Sequence, residues 1–81
     1  MKLLVLLVVS FNLLLATVDI NSASVDELSS LKGVGASKAK AIIKHRSRNC
    51  FKNIDELSNV KGIGVKTIEK NKDNLSVGTC K

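Results

Sequence analysis

The sequence predicts a small all-α domain made of two copies of one unit, each a helix, a short hairpin and a second helix. Three observations carry that prediction. The chain repeats itself at an offset of 29 residues: Val25-Asp26-Glu27-Leu28-Ser29 matches Ile54-Asp55-Glu56-Leu57-Ser58, and Leu31-Lys32-Gly33-Val34-Gly35 matches Val60-Lys61-Gly62-Ile63-Gly64. Apolar residues within each copy fall at helical spacing: Val25, Leu28 and Leu31 in the first, Ile54, Leu57 and Val60 in the second. Pro, Trp and Tyr are absent, which suits a compact helical unit better than a β-sandwich. One such unit cannot bury its apolar face alone, so two copies packed together make the core.

Taken in order, the chain starts with Met1-Lys2 and an uncharged apolar run at residues 3–16 that ends on Ala16. A positive end, a short apolar stretch and a small exit residue predict a secretory signal peptide over residues 1–16. As a helix the run would reach about 21–24 Å, short of the roughly 30 Å of bilayer hydrocarbon, which favours a cleaved signal over the alternative of a retained membrane anchor. The domain then occupies residues 17–81, and the leader places it outside the cytoplasm, periplasmic or secreted. Ser24 with Glu27 three residues on predicts a capping box, and Asn53 with Glu56 is its counterpart in the second copy. Each first helix runs to a Gly-x-Gly, where glycine tolerates positive φ. The second helices are expected from Ala36 to Arg48, with Ala39, Ile42 and Ile43 inward, and from Val65 to Asn74, with Ile68 and Leu75 inward. Phe51, the one aromatic after the leader, is expected to plug the seam between the copies.

The chain is 81 residues long with a net charge of +6, which excludes a large catalytic domain and a multi-span membrane protein. The distribution of charge matters more than the sum. Residues 28–54 hold Lys32, Lys38, Lys40, Lys44, Arg46, Arg48 and Lys52 and no acid. Such a run is a steering field for a polyanion. An even pair of cysteines in an exported chain, Cys50 and Cys80, predicts a disulfide, with two free thiols as the alternative. These two with the lone His45 are too few ligands for structural zinc, so no metal is expected and His45 is assigned no chemistry.

The hairpins carry the functional prediction. A helix start presents free N–H groups and a positive dipole end. Glycines there remove the side chains that would hold a phosphate away. The backbone of Gly33, Val34, Gly35 and Ala36, and of Gly62, Ile63, Gly64 and Val65, is therefore the candidate phosphate contact. Lys32 and Lys61 flank the hairpins, and Lys38 and Lys66 lie within a turn beyond them. Contacts of this kind grip the backbone and read no base sequence.

These residues also carry a family resemblance. LKGVGASKAKAII and VKGIGVKTI resemble tandem helix-hairpin-helix motifs, two of them forming one small domain. VDINSASVDELSSLKGVGASKAKAIIKHR, with FKNIDELSNVKGIGVKTIEK after it, resembles the ComEA-type DNA-uptake proteins of competent bacteria over about residues 18–77. The resemblance implies a receptor that holds incoming double-stranded DNA during natural transformation, without sequence preference and alongside DNA-uptake machinery. In this chain Lys32 and Lys61 stand where that family often has Pro before the first glycine, and Asn49-Cys50 where it often has Gly-Pro before the Phe.

Other function classes fit less well. Single-strand binding stacks bases on aromatics, and Phe51 is the one available. Direct base readout would use a pattern of Arg with Asn or Gln that is not evident. Asp26, Glu27, Asp55 and Glu56 are explained by helix first turns, which leaves no carboxylate set for an enzyme and no implied cofactor or small-molecule substrate. The alternative is an exported protein–protein interaction module, which would not need lysines clustered at the hairpins.

Overall fold

The computed structural model describes residues 17–80, so the expected leader over residues 1–16 lies outside the described residues. Five helical segments and two short strands succeed one another: β1 (Val18–Asp19), α1 (Val25–Ser29), α2 (Gly35–Arg48), a 3₁₀ helix (Ile54–Asn59), α3 (Val65–Asn71), a 3₁₀ turn (Lys72–Asn74) and β2 (Leu75–Ser76). Among the described residues no helix is long and apolar enough to cross a membrane.

Ser24 starts α1 as expected. Its hydroxyl accepts from the Glu27 amide at 3.2 Å, and the Glu27 carboxylate accepts from the Ser24 amide at 2.9 Å. The helix is shorter than the apolar spacing predicts and ends before Leu31. The Ser29 and Ser30 hydroxyls donate to the carbonyls of Val25 (2.7 Å) and Glu27 (2.6 Å), offering the chain an exit before the glycines are reached. Leu31 is buried all the same, in the turn beyond the helix. In the second copy the Asn53 side chain caps the Glu56 amide at 3.1 Å, but the Glu56 carboxylate turns to the Lys52 amide at 2.8 Å. The segment this cap opens is a 3₁₀ helix, closed by Val60 N–H donating to Leu57 at 3.0 Å. Ser58 and Asn59, weak helix formers, sit where an α-helix would have to continue.

The core draws on both copies of the sequence repeat. Leu28 and Leu57, Leu31 and Val60, Val34 and Ile63, Ala39 and Ile68 are repeat-related pairs, and all eight are buried in one cluster. Phe51 is fully buried between the copies, where burial of a side chain that size stabilises by about 2–3 kcal/mol. Ile43 is half-buried against the cluster. The second copy departs from the expected helix over 65–74. α3 stops at Asn71, the turn Lys72–Asn74 tightens to 3₁₀, and Leu75 enters the core from a strand.

That strand adds a feature to the expected all-α fold. Val18 pairs with Leu75 and Asp19 with Ser76 in a two-residue parallel ladder. The lead-in holds the exits of both copies through Asn21. Its amide oxygen accepts from Phe51 N–H at 2.8 Å, and its amide nitrogen donates to the carbonyls of Phe51 at 2.8 Å and Gly78 at 3.3 Å. The Asp19 carboxylate accepts from the amides of Asn21 and Gly78, both at 2.9 Å. Burial pushes this carboxyl up, but those amides, the Ser22 hydroxyl and the Arg46 guanidinium outweigh it and hold Asp19 below its ordinary pKa. Arg46 also donates to the Ile20 carbonyl at 3.2 Å. Cys50 and Cys80 are bridged, with their Cα atoms 5.4 Å apart. The two are 30 residues apart in sequence, and in the chain-entropy model closing such a loop is worth about 3–4 kcal/mol, a large share for so small a core.

Candidate functional site

The two Gly-x-Gly turns lie side by side. Each first glycine packs on the first turn of the opposite copy's second helix. A Cβ on Gly33 would sit 3.8 Å from Thr67 Oγ1, and one on Gly62 would sit 3.4 Å from Lys38 Cε. Thr67 and Lys38 are themselves repeat-related, so the two contacts are reciprocal. The expected hairpins therefore share one surface.

The fold does not require glycine equally at the four positions. Gly33 and Gly62 have φ of +76° and +95° and turn the chain in the left-handed region, while packed against a neighbour. Gly35 has φ of +69° and open space around it. Gly64 has φ of −108° and ψ of 177°, an extended conformation open to any residue, and a Cβ there would meet nothing within 4 Å. Neither packing nor backbone conformation requires glycine at position 64.

Val34 and Ile63 are buried, so these two expected site residues offer backbone to the surface and side chains to the core. Their N–H groups are also committed, to the carbonyls of Leu31 at 3.2 Å and Val60 at 3.0 Å. Lys32, Lys61 and Lys66 are exposed, as is Ala36. Lys38 is half-buried, because its stem covers Gly62 while its ammonium donates to the Gly33 carbonyl at 3.2 Å. It ties the two hairpins together, with protons left to donate outward. Val65 is 65% exposed beside Gly64.

Asn71 does most to position the first hairpin, and the sequence did not single it out. Its side chain is buried and accepts from Lys32 N–H at 2.8 Å, while donating to the carbonyls of Lys32 at 2.9 Å and Thr67 at 2.8 Å. One amide thus satisfies both backbone groups of Lys32 and fastens hairpin one to α3. The available signal was its register. Asn71 lies three residues after Ile68 on the inward stripe and is the repeat partner of Ile42.

His45 is half-buried, its ring stacked on Phe51 with centroids 5.0 Å apart. Its Nδ1 is buried without a hydrogen-bond partner among the described residues. Among those residues no three of His, Cys, Asp and Glu converge in a metal-holding group.

The arrangement offers two adjacent turns with exposed glycines, and lysines around them, on one face. Comparison with known proteins bears on the fold that carries these turns. ComE operon protein 1 of Bacillus subtilis (strain 168) is 46% identical to this chain over 63 residues. That match covers 76% of this chain and 31% of the relative, so the chain spans about a third of that protein's length. A family model described as the helix-hairpin-helix motif matches residues 15–76. The chain belongs to the helix-hairpin-helix family.

Proposed function

We propose that this is an exported, non-enzymatic protein that binds double-stranded DNA through its sugar-phosphate backbone and holds it during natural transformation. The two hairpins act as a tandem pair of helix-hairpin-helix motifs on one duplex. The exposed turns present backbone N–H groups to phosphate oxygens, and Lys32, Lys61 and Lys66 neutralise the charge nearby. Lys38 holds the two turns at a fixed spacing and lends its remaining protons. The leader over residues 1–16 delivers the chain to the periplasm or the exterior, where it works beside DNA-uptake machinery.

The observation that carries this reading is Gly64. A glycine that the fold does not need, on an exposed turn between Lys61 and Lys66, keeps a surface clear for something to approach the backbone. The adjacency of the hairpins and the likeness to ComE operon protein 1 support the same conclusion.

The test is binding of residues 17–81 to two unrelated random duplexes across a salt series. Equal affinities should fall together with salt, with a log–log slope of about −4 to −5 for roughly 4–6 phosphates engaged. Salt-independent affinity, or none at low salt, would overturn the proposal.

A further inference from the structure

We infer that the DNA-binding surface extends beyond the hairpins into a cationic track along α2, formed by Lys40, Lys44 and Arg48 with Lys61, which takes a run of backbone phosphates leaving the second hairpin. This inference rests on the DNA reading above and deepens it. Lys40, Lys44 and Arg48 are four residues apart in turn, so they stack in one row on the helix surface. At 1.5 Å per residue the row is about 12 Å long, the axial rise of three to four nucleotides in one strand at roughly 3.4 Å each. Lys44 and Arg48 line a groove whose opposite wall is Asn59, Val60 and Lys61 at the entry to the second hairpin. No carboxylate lines that groove. Lys40, Lys44, Arg48 and Lys61 are exposed, and none of the four side chains makes a hydrogen bond or ion pair among the described residues.

The other two basic residues of α2 are occupied elsewhere. Lys38 bridges the hairpins, and Arg46 donates to the Ile20 carbonyl and lends its charge to Asp19 on the lead-in. The track has no counterpart on the other copy. The repeat partners of Lys40, Lys44 and Arg48 are Glu69, Asp73 and Val77, two acids and a neutral residue. The footprint is therefore one-sided, with the strand entering at the paired turns and continuing along α2.

The experiment compares salt slopes for a random duplex among the wild-type chain, Lys44→Gln/Arg48→Gln, and Lys52→Gln/Lys72→Gln, which removes the same charge from exposed positions outside the groove. The groove pair should lower the magnitude of the slope by nearly 2 and weaken binding on the order of tenfold per lost contact at 0.1 M salt. The control pair should leave the slope unchanged, and Lys44→Arg/Arg48→Lys should retain it. Helicity by circular dichroism checks that each variant is folded. An unchanged slope in the groove pair, or an equal drop in the control pair, overturns the track. The Gly64→Asp variant separates the two levels: if it abolishes binding while the groove pair keeps the wild-type slope, the hairpin reading stands and the track falls. A wild-type chain that binds no duplex overturns both.

Discussion

The two halves of the molecule carry one sequence repeat and build it with different means. The first half, residues 24–48, has a complete capping box, a true α-helix and a 14-residue second helix carrying only bases among its charges. The second half, residues 53–74, has half a box, a 3₁₀ helix and a 7-residue helix with Glu69 among its lysines. Yet the shorter half supplies the parts that organise the surface: Asn71, which latches the other hairpin, and Gly64, which leaves its own turn open. One copy concentrates charge and the other holds geometry, so sequence repetition here does not mean equal roles.

The largest effect comes from uncoupling the exits of the halves. The Cys50–Cys80 bridge ties the end of α2 to the tail of the second copy. Replacing both cysteines by Ser should lower the unfolding free energy by about 3–4 kcal/mol, read from urea denaturation. A midpoint that does not move would show that the Asn21 hydrogen bonds alone hold those exits.

Making the halves more alike should also harm the protein. Asn71→Ile copies Ile42 into the second half, but strands the N–H and C=O of Lys32 away from their partner. The expected loss is about 2 kcal/mol, since each buried polar group left unpaired costs about 1–3 kcal/mol and the added apolar side chain offsets part of it. Amide hydrogen exchange should speed up at Lys32–Val34 and much less at Lys61–Ile63. Equal acceleration in both hairpins would mean that Asn71 supports the core rather than one turn.

Much of this asymmetry was hidden in the sequence, for physical reasons. The pairs Leu28/Leu57 and Leu31/Val60 were legible as core because apolar spacing and burial coincide when both copies face one another. Ser24 announced its cap through a local pattern, and the cysteine pair its bridge through number and context. Asn71 was not legible, because a polar residue on an inward stripe looks like a break in the stripe until its partner 39 residues away is placed. The Val18–Leu75 ladder is non-local and two residues long, too short to show alternation. The 3₁₀ segment differs from an α-helix by one step of hydrogen-bond register, which composition scarcely records. At the hairpins, Gly35 and Gly64 are the same letter at repeat-related positions but differ in φ by sign.

A difference in the sign of φ also separates the two glycines of the second hairpin. Any side chain at Gly62 is forced into the left-handed region and against Lys38, so Gly62→Ala should destabilise by about 1–2 kcal/mol. Gly64 is the N-cap of α3 in extended conformation with open space, so Gly64→Asp should hold stability or raise it by a few tenths of a kcal/mol, as Asp is a better cap than Gly. The same substitution sets a carboxylate at the proposed phosphate contact and should abolish DNA binding. Stability and binding would then move in opposite directions at one residue. A Gly64→Asp chain that binds DNA like wild type would remove that turn from the interface. Gly35→Glu is a poorer probe, because φ of +69° makes any loss of binding inseparable from strain.

The smallest expected effect lies at the seam between lead-in and tail, where the halves close on each other. Asp19 is held below its ordinary pKa, so its charged form is favoured by folding. The stabilisation is therefore complete above the unfolded carboxylate value of about 4 and is lost as pH falls through the lower, folded value. Asp19→Asn keeps an acceptor for the Asn21 and Gly78 amides but drops the charge that faces Arg46. The wild-type chain should accordingly be more stable than Asp19→Asn at pH 7, and the gap should close as pH is lowered below about 4. Paired thermal melts from about pH 7 down to about pH 2.5 would show it. A gap that persists unchanged at the acid end would place the contribution of Asp19 in hydrogen-bond geometry, and the ring of contacts joining both halves would owe nothing to charge.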